Sequence, residues 1–156
     1  MTDATLAEAL EREHHEIDEG IEAFTADPSS EPARDRLRTA IRALRRHIYL
    51  EEEFAFPPLR EAGFVMPIIV MLREHGQIWT TCDSLEQALA DGADNATLLQ
   101  LCRQLTVQLQ HHNLKEEKVL YPQVDTTMSA SAAADLRAFL DRGQLPEGWV
   151  CARAGV

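Results

Sequence analysis

Side chains suited to holding a metal ion recur in a regular order along this chain of 156 residues: His14, then His47 with Glu51, then His75, then His112 with Glu116. Each histidine–glutamate pair is spaced i,i+4, so on a helix both members share a face and offer one nitrogen and one oxygen to the same interior point. His14, His75 and His112 fall in step with leucines and isoleucines, and His47 lies beside Leu44 and Ile48. His15 and His111 fall one position off those stripes and are expected at the surface. Two uncompensated carboxylates in an apolar core would be costly, and a pair of divalent or trivalent cations satisfies both. No cysteine joins the set, which argues against thiolate zinc; mixed imidazole and carboxylate ligation suits iron, manganese or zinc, with iron the first choice.

Four long stretches with apolar residues at helical spacing must position these groups, and clusters of Pro, Gly, Asp, Asn and Ser separate them. The pattern predicts an all-α fold with helices over about residues 3–26, 32–56, 67–90 and 96–121 and a short amphipathic helix over 132–140. Thr5 and Glu8 are spaced as a capping box, Pro32 suits a first turn, and Pro57, Pro58 and Pro122 are expected to stop their helices. Phe54 and Val119 are assigned to inward stripes. Short connections make successive helices antiparallel neighbours, giving an up-down-up-down four-helix bundle with a short fifth C-terminal helix. His14 and His75 lie roughly ten residues, about 15 Å, after their helices begin, and His47 and His112 the same distance before theirs end. All four therefore meet at one level.

The chain also repeats itself. Arg12-Glu13-His14 followed by Ile17 matches Arg73-Glu74-His75 followed by Ile78, and residues 47–57 align without gaps on 112–122, each ending in an aromatic residue and a proline. Each half is one helical hairpin. A single His, HxxxE, a single His and HxxxE, each HxxxE running on to aromatic-Pro, resembles the hemerythrin-like (HHE) domains over about residues 5–125. The resemblance implies two non-haem irons bridged by Glu51 and Glu116 and by an oxo or hydroxo group, with His14, His47, His75 and His112 as terminal ligands. It further implies a small-molecule ligand: dioxygen, nitric oxide or peroxide. Oxygen carriers of that family have a second histidine four residues after the third-helix ligand, where this chain has Trp79. Fewer protein ligands leave more open positions, which favours exchange, peroxide chemistry or iron release over tight reversible oxygen storage. The leading reading is therefore a protein that binds or reacts with a small oxidant in sensing or stress protection. The alternative is iron storage or donation without oxidant turnover.

Glu52 and Glu117, one residue beyond the pairs, are assigned to a solvated helix face. Tyr49, Tyr121 and Trp79 are read as packing, and Cys82 and Cys102 as small core residues. The tail from Arg142 is expected to be irregular, with Trp149 capping the bundle. The formal charge of −11 disfavours nucleic acid and anionic membrane surfaces as partners. Three widely spaced cysteines suit neither a disulfide framework nor a CxxC motif. The length fits one domain, residues 1–156, with the bundle over about 3–122. No apolar run is long enough for a membrane span and no signal-peptide pattern opens the chain, so a cytoplasmic location is expected.

Overall fold

The computed structural model describes residues 4–156. All regular structure among them is helical: α1 (Leu6–Ala26), α2 (Glu31–Leu50), α3 (Phe56–Glu61), α4 (Val65–Ala90), α5 (Asn95–Lys115), α6 (Tyr121–Thr127) and α7 (Ala130–Arg142). The expected start at Asp3 lies outside the described residues; α1 begins after Thr5, whose hydroxyl accepts from the Glu8 N–H at 3.1 Å while Glu8 Oε2 accepts from the Thr5 N–H at 3.0 Å. Asp125 of α6 takes the next two free donors, accepting from the N–H groups of Leu6 and Ala7 at 3.0 and 3.1 Å. Ser30, Asp94 and Ser129 cap α2, α5 and α7 in the same manner.

The helices pack α1 on α2, α2 on α4, α4 on α5 and α5 on α1, which is the neighbour order of an antiparallel bundle. No helix of the structure is long and apolar enough to cross a membrane, among the described residues.

Pro57, Pro58 and Pro122 do not stop their helices. Glu51–Ala55 and Glu116–Leu120 each form a π turn, and α3 and α6 continue directly from them with the prolines in their first turns. A proline lacks only the N–H that a helix start leaves unpaired in any case, so the wider turn absorbs it without breaking the rod. The extra residue also rotates the helix beyond it. Val119, assigned to the inward stripe, is 47% exposed, and Leu120 is buried in its place. Phe54 is half-buried rather than fully inward.

Two apolar clusters fill the interior. One contains Ile17, Ile21, Leu44, Ile78, Leu85, Leu105 and Leu109; the other contains Leu6, Leu10, Leu50, Leu59, Met71, Leu120 and Val124. His14 falls between Leu10 and Ile17 on α1, and His75 between Met71 and Ile78 on α4, so the polar residues form a belt between the clusters. The C-terminal segment closes one side. Arg46 donates to the carbonyls of Phe139, Leu140 and Gly143 at the end of α7, and Trp149 packs edge-on against Tyr49 and Trp79. As expected, the tail beyond α7 is irregular.

Candidate metal centre

All six residues singled out by spacing converge. His14, His47, Glu51 and Glu116 form one group, and Glu51, His75, His112 and Glu116 a second; within each group the potential ligand atoms lie within 4.8 Å of one another. The two glutamates belong to both. Each imidazole Nε2 faces a carboxylate: His14 to Glu116 at 3.2 Å, His47 to Glu51 at 3.5 Å, His75 to Glu51 at 3.2 Å and His112 to Glu116 at 3.2 Å. Both carboxylates have no solvent exposure. His15 and His111 are exposed, as their positions off the stripe require.

The other nitrogen of each ring has its own carboxylate. The Nδ1–H of His47 donates to Glu13 at 2.9 Å and that of His112 to Glu74 at 3.0 Å. His75 donates to Glu52 at 2.7 Å and His14 to Glu117 at 3.2 Å. The rule follows the internal repeat: the glutamate before each single histidine serves the histidine of an HxxxE, and the glutamate after each HxxxE serves a single histidine. An acceptor at Nδ1 fixes the proton there, so the Nε2 lone pair can point inward. Glu52 is therefore not on a solvated face, and Glu117, 30% exposed at its side chain, is only partly so. Glu52 is 5% exposed at its side chain and also accepts from the Ala152 N–H of the tail at 2.8 Å. The repeat of Glu-His and Glu-Glu pairs was the signal for this outer ring, but only tertiary packing shows which glutamate meets which histidine: Glu13–His47 and Glu74–His112 pair within one hairpin, Glu52–His75 and Glu117–His14 between the two.

Tyr121, read from sequence as packing, stands inside the first group. Its hydroxyl donates to Glu51 Oε2 at 2.8 Å and lies 3.2 Å from Glu116 Oε1, 2.9 Å from His14 Nε2 and 3.1 Å from His47 Nε2. The π turn puts it there. In an unbroken α-helix Tyr121 would lie about 140° around the axis from Glu116, whereas the bond from the Tyr121 N–H to the Glu116 carbonyl stacks the two on one side. Trp79 stays away from the ligands; its ring carries the Arg45 guanidinium at 4.3 Å, which Asp83 and Glu86 also bind.

Electrostatics match a cation site. Burial would raise the Glu51 carboxyl, yet His47 and the surrounding hydrogen bonds hold it well below the usual carboxylate range. Burial disfavours the protonated imidazoles, but Glu116 lifts His112 to about 10, and Glu51 with Glu13 lifts His47 well above its ordinary value. His75 is raised by Glu51 and Glu52 against the same burial. Burial and the charges of Glu116 and Glu51 hold the Tyr121 hydroxyl well above its ordinary value. Protons on imidazole thus stand in for positive charge that the belt is built to hold. Glu51 Oε1, His75 Nε2 and Glu116 Oε2 are buried without any hydrogen-bond partner, and such atoms aimed at a common point fit a metal ion. Nitrogen and oxygen donors without a thiol fit iron.

Fold and site together define a helical bundle with a buried histidine–carboxylate centre of metal-binding type. The family model described as the hemerythrin HHE cation-binding domain matches residues 5–124, and the chain belongs to that family. No curated protein and no solved structure matches.

Proposed function

We propose that the chain binds two non-haem irons, one in each group, through His14, His47, Glu51, His75, His112 and Glu116, and that the loaded centre binds or reacts with a small oxidant in sensing or stress protection. The observation that carries this reading is the sharing of Glu51 and Glu116 by two buried groups, each with two further histidines. Shared carboxylates are what a pair of adjacent cations needs. When bound, the irons supply the redox capacity.

The chain supplies the rest. Glu13, Glu52, Glu74 and Glu117 orient the four imidazoles. The apolar clusters on either side, with the burial of all six residues, keep bulk water from the centre. The same burial disfavours the alternative of iron storage or donation, because every ligand would have to be unsealed for release.

Metal analysis of the purified protein, with oxidant consumption followed after reduction, tests the reading. Two irons per chain, with consumption of dioxygen, nitric oxide or peroxide, is the expected result. Zinc alone, or no metal after anaerobic iron loading, would sink the di-iron assignment. Iron that passes quickly to a chelator while no oxidant is consumed would favour storage.

A further inference from the structure

The two halves of the belt are nearly equivalent by repeat, and one position breaks the equivalence. Phe56 and Tyr121 follow their π turns at matching places. The Phe56 ring stacks on His75 at 5.4 Å between centroids, and the Tyr121 ring lies tilted against His14 at 5.3 Å. Each aromatic thus crosses to the histidine of the other hairpin. Only one of them carries an oxygen.

That oxygen stands 2.8, 2.9, 3.1 and 3.2 Å from Glu51 Oε2, His14 Nε2, His47 Nε2 and Glu116 Oε1. Donors held roughly 2.1 Å from one metal ion, at right angles, are about 3 Å apart. All four spacings match a fifth donor lying beside four others around a single ion. The orphaned atoms are distributed in keeping with this. Tyr121 contacts Glu51 Oε2 and Glu116 Oε1, whereas the unpartnered Glu116 Oε2 lies 3.2 Å from His112 Nε2 and the unpartnered Glu51 Oε1 lies between His75 Nε2 at 3.2 Å and His47 Nε2 at 3.5 Å.

We propose that Tyr121 is a fifth protein ligand, through its phenol oxygen, to the cation held by His14 and His47, and that the two metal positions are therefore unequal. On coordination the O–H bond breaks, its proton leaves to solvent, and an oxygen–metal bond forms, with no change of oxidation state. The cation between His75 and His112 keeps four protein donors and faces the Phe56 ring, which offers none. The open coordination of the pair lies on that side. This inference rests on the metal-binding reading above.

The experiment is visible absorption and resonance Raman spectroscopy of the ferric, iron-loaded full chain, with iron counted per chain. Tyrosine ligation gives a visible phenolate-to-iron band that enhances phenolate ring vibrations. The chain has two tyrosines, and Tyr49 packs against Phe54, Phe139 and Trp149 instead. Tyr121→Phe, which copies the Phe56 half, is expected to retain two irons and lose the band, and Tyr49→Phe to keep it. Mössbauer spectra of the wild type are expected to show two distinct iron environments that converge in Tyr121→Phe. Two bound irons without a phenolate signature in the wild type, or a band that persists in Tyr121→Phe, overturns the proposal while leaving the metal site standing. Absence of bound iron overturns both. The wild-type spectrum decides the matter even if the variant fails to fold.

Discussion

At the scale of single residues, Glu51 and Glu116 are expected to be the least replaceable groups, because each belongs to both clusters that could hold a metal ion. Glu51→Ala is expected to lose both irons, and His112→Ala to retain at most one; metal content after anaerobic loading checks the difference. The outer carboxylates act at one remove. Glu52→Gln weakens the acceptor at His75 Nδ1 and is expected to lower metal affinity about 10–100-fold, read by competition with a chelator, with helix content unchanged. The thiols take no part. Burial pushes Cys82 up to about 12 and Cys102 and Cys151 up to about 11. Since the thiolate is the reactive form, the folded protein is expected to resist a thiol reagent at pH 8 and to react fully once unfolded. Residue-level legibility divides along the same line. Spacing alone found the six inward residues, since i,i+4 pairs on apolar stripes allow few other readings. It misread Glu52, Glu117 and Tyr121, whose positions depend on another hairpin or on a turn that the periodicity does not announce.

At the scale of elements, the helices behave as their caps and stripes require, and the exceptions are the two π turns. Each widened turn opens at a buried glutamate, Glu51 or Glu116, and brings the next aromatic round to that glutamate's side. Proline, read from sequence as a terminator, instead opens the following α segment. The C-terminal tail is held by an equally local device. A Cβ added at Gly76 would lie 2.6 Å from the Arg153 carbonyl oxygen. Gly76→Ala favours the helix by about 1 kcal/mol, but this contact with backbone requires the tail to shift. The variant is expected to keep its helix content while the tail detaches, giving a red-shifted Trp149 emission and faster C-terminal proteolysis. Because Ala152 donates to Glu52, which holds His75, the same variant is expected to bind metal more weakly.

At the scale of the whole molecule, the metal-free centre is a set of buried charges that balance one another, and its pH dependence arises from them. His112 is raised from 6.5 to about 10, so its contribution to stability is complete below pH 6.5 and is lost as pH rises toward 10. Glu74, held down to about 2 chiefly by the hydrogen bond from His112, contributes fully above pH 4.5 and loses that contribution as pH falls toward 2. Metal-free protein is therefore expected to be most stable between about pH 4.5 and 6.5 and to melt at lower temperature on either side, as thermal scans across pH would show. Iron loading displaces the imidazole protons, so uptake is expected to release protons at neutral pH and to tighten as pH rises, measurable with an indicator dye in weak buffer.

From the sequence alone came the all-helical class, the antiparallel order of the long helices, the common level of the four histidines and the inward position of the two glutamates. All of these follow from periodicity, short connections and helical rise, which are local properties. Tertiary structure alone decided that Glu13, Glu52, Glu74 and Glu117 ring the histidines, that Val119 turns outward, and that the Tyr121 hydroxyl enters the first ligand group. Each of these depends on the phase of a helix after a π turn or on the partner across the bundle. A pattern of residue types along one strand of sequence carries neither.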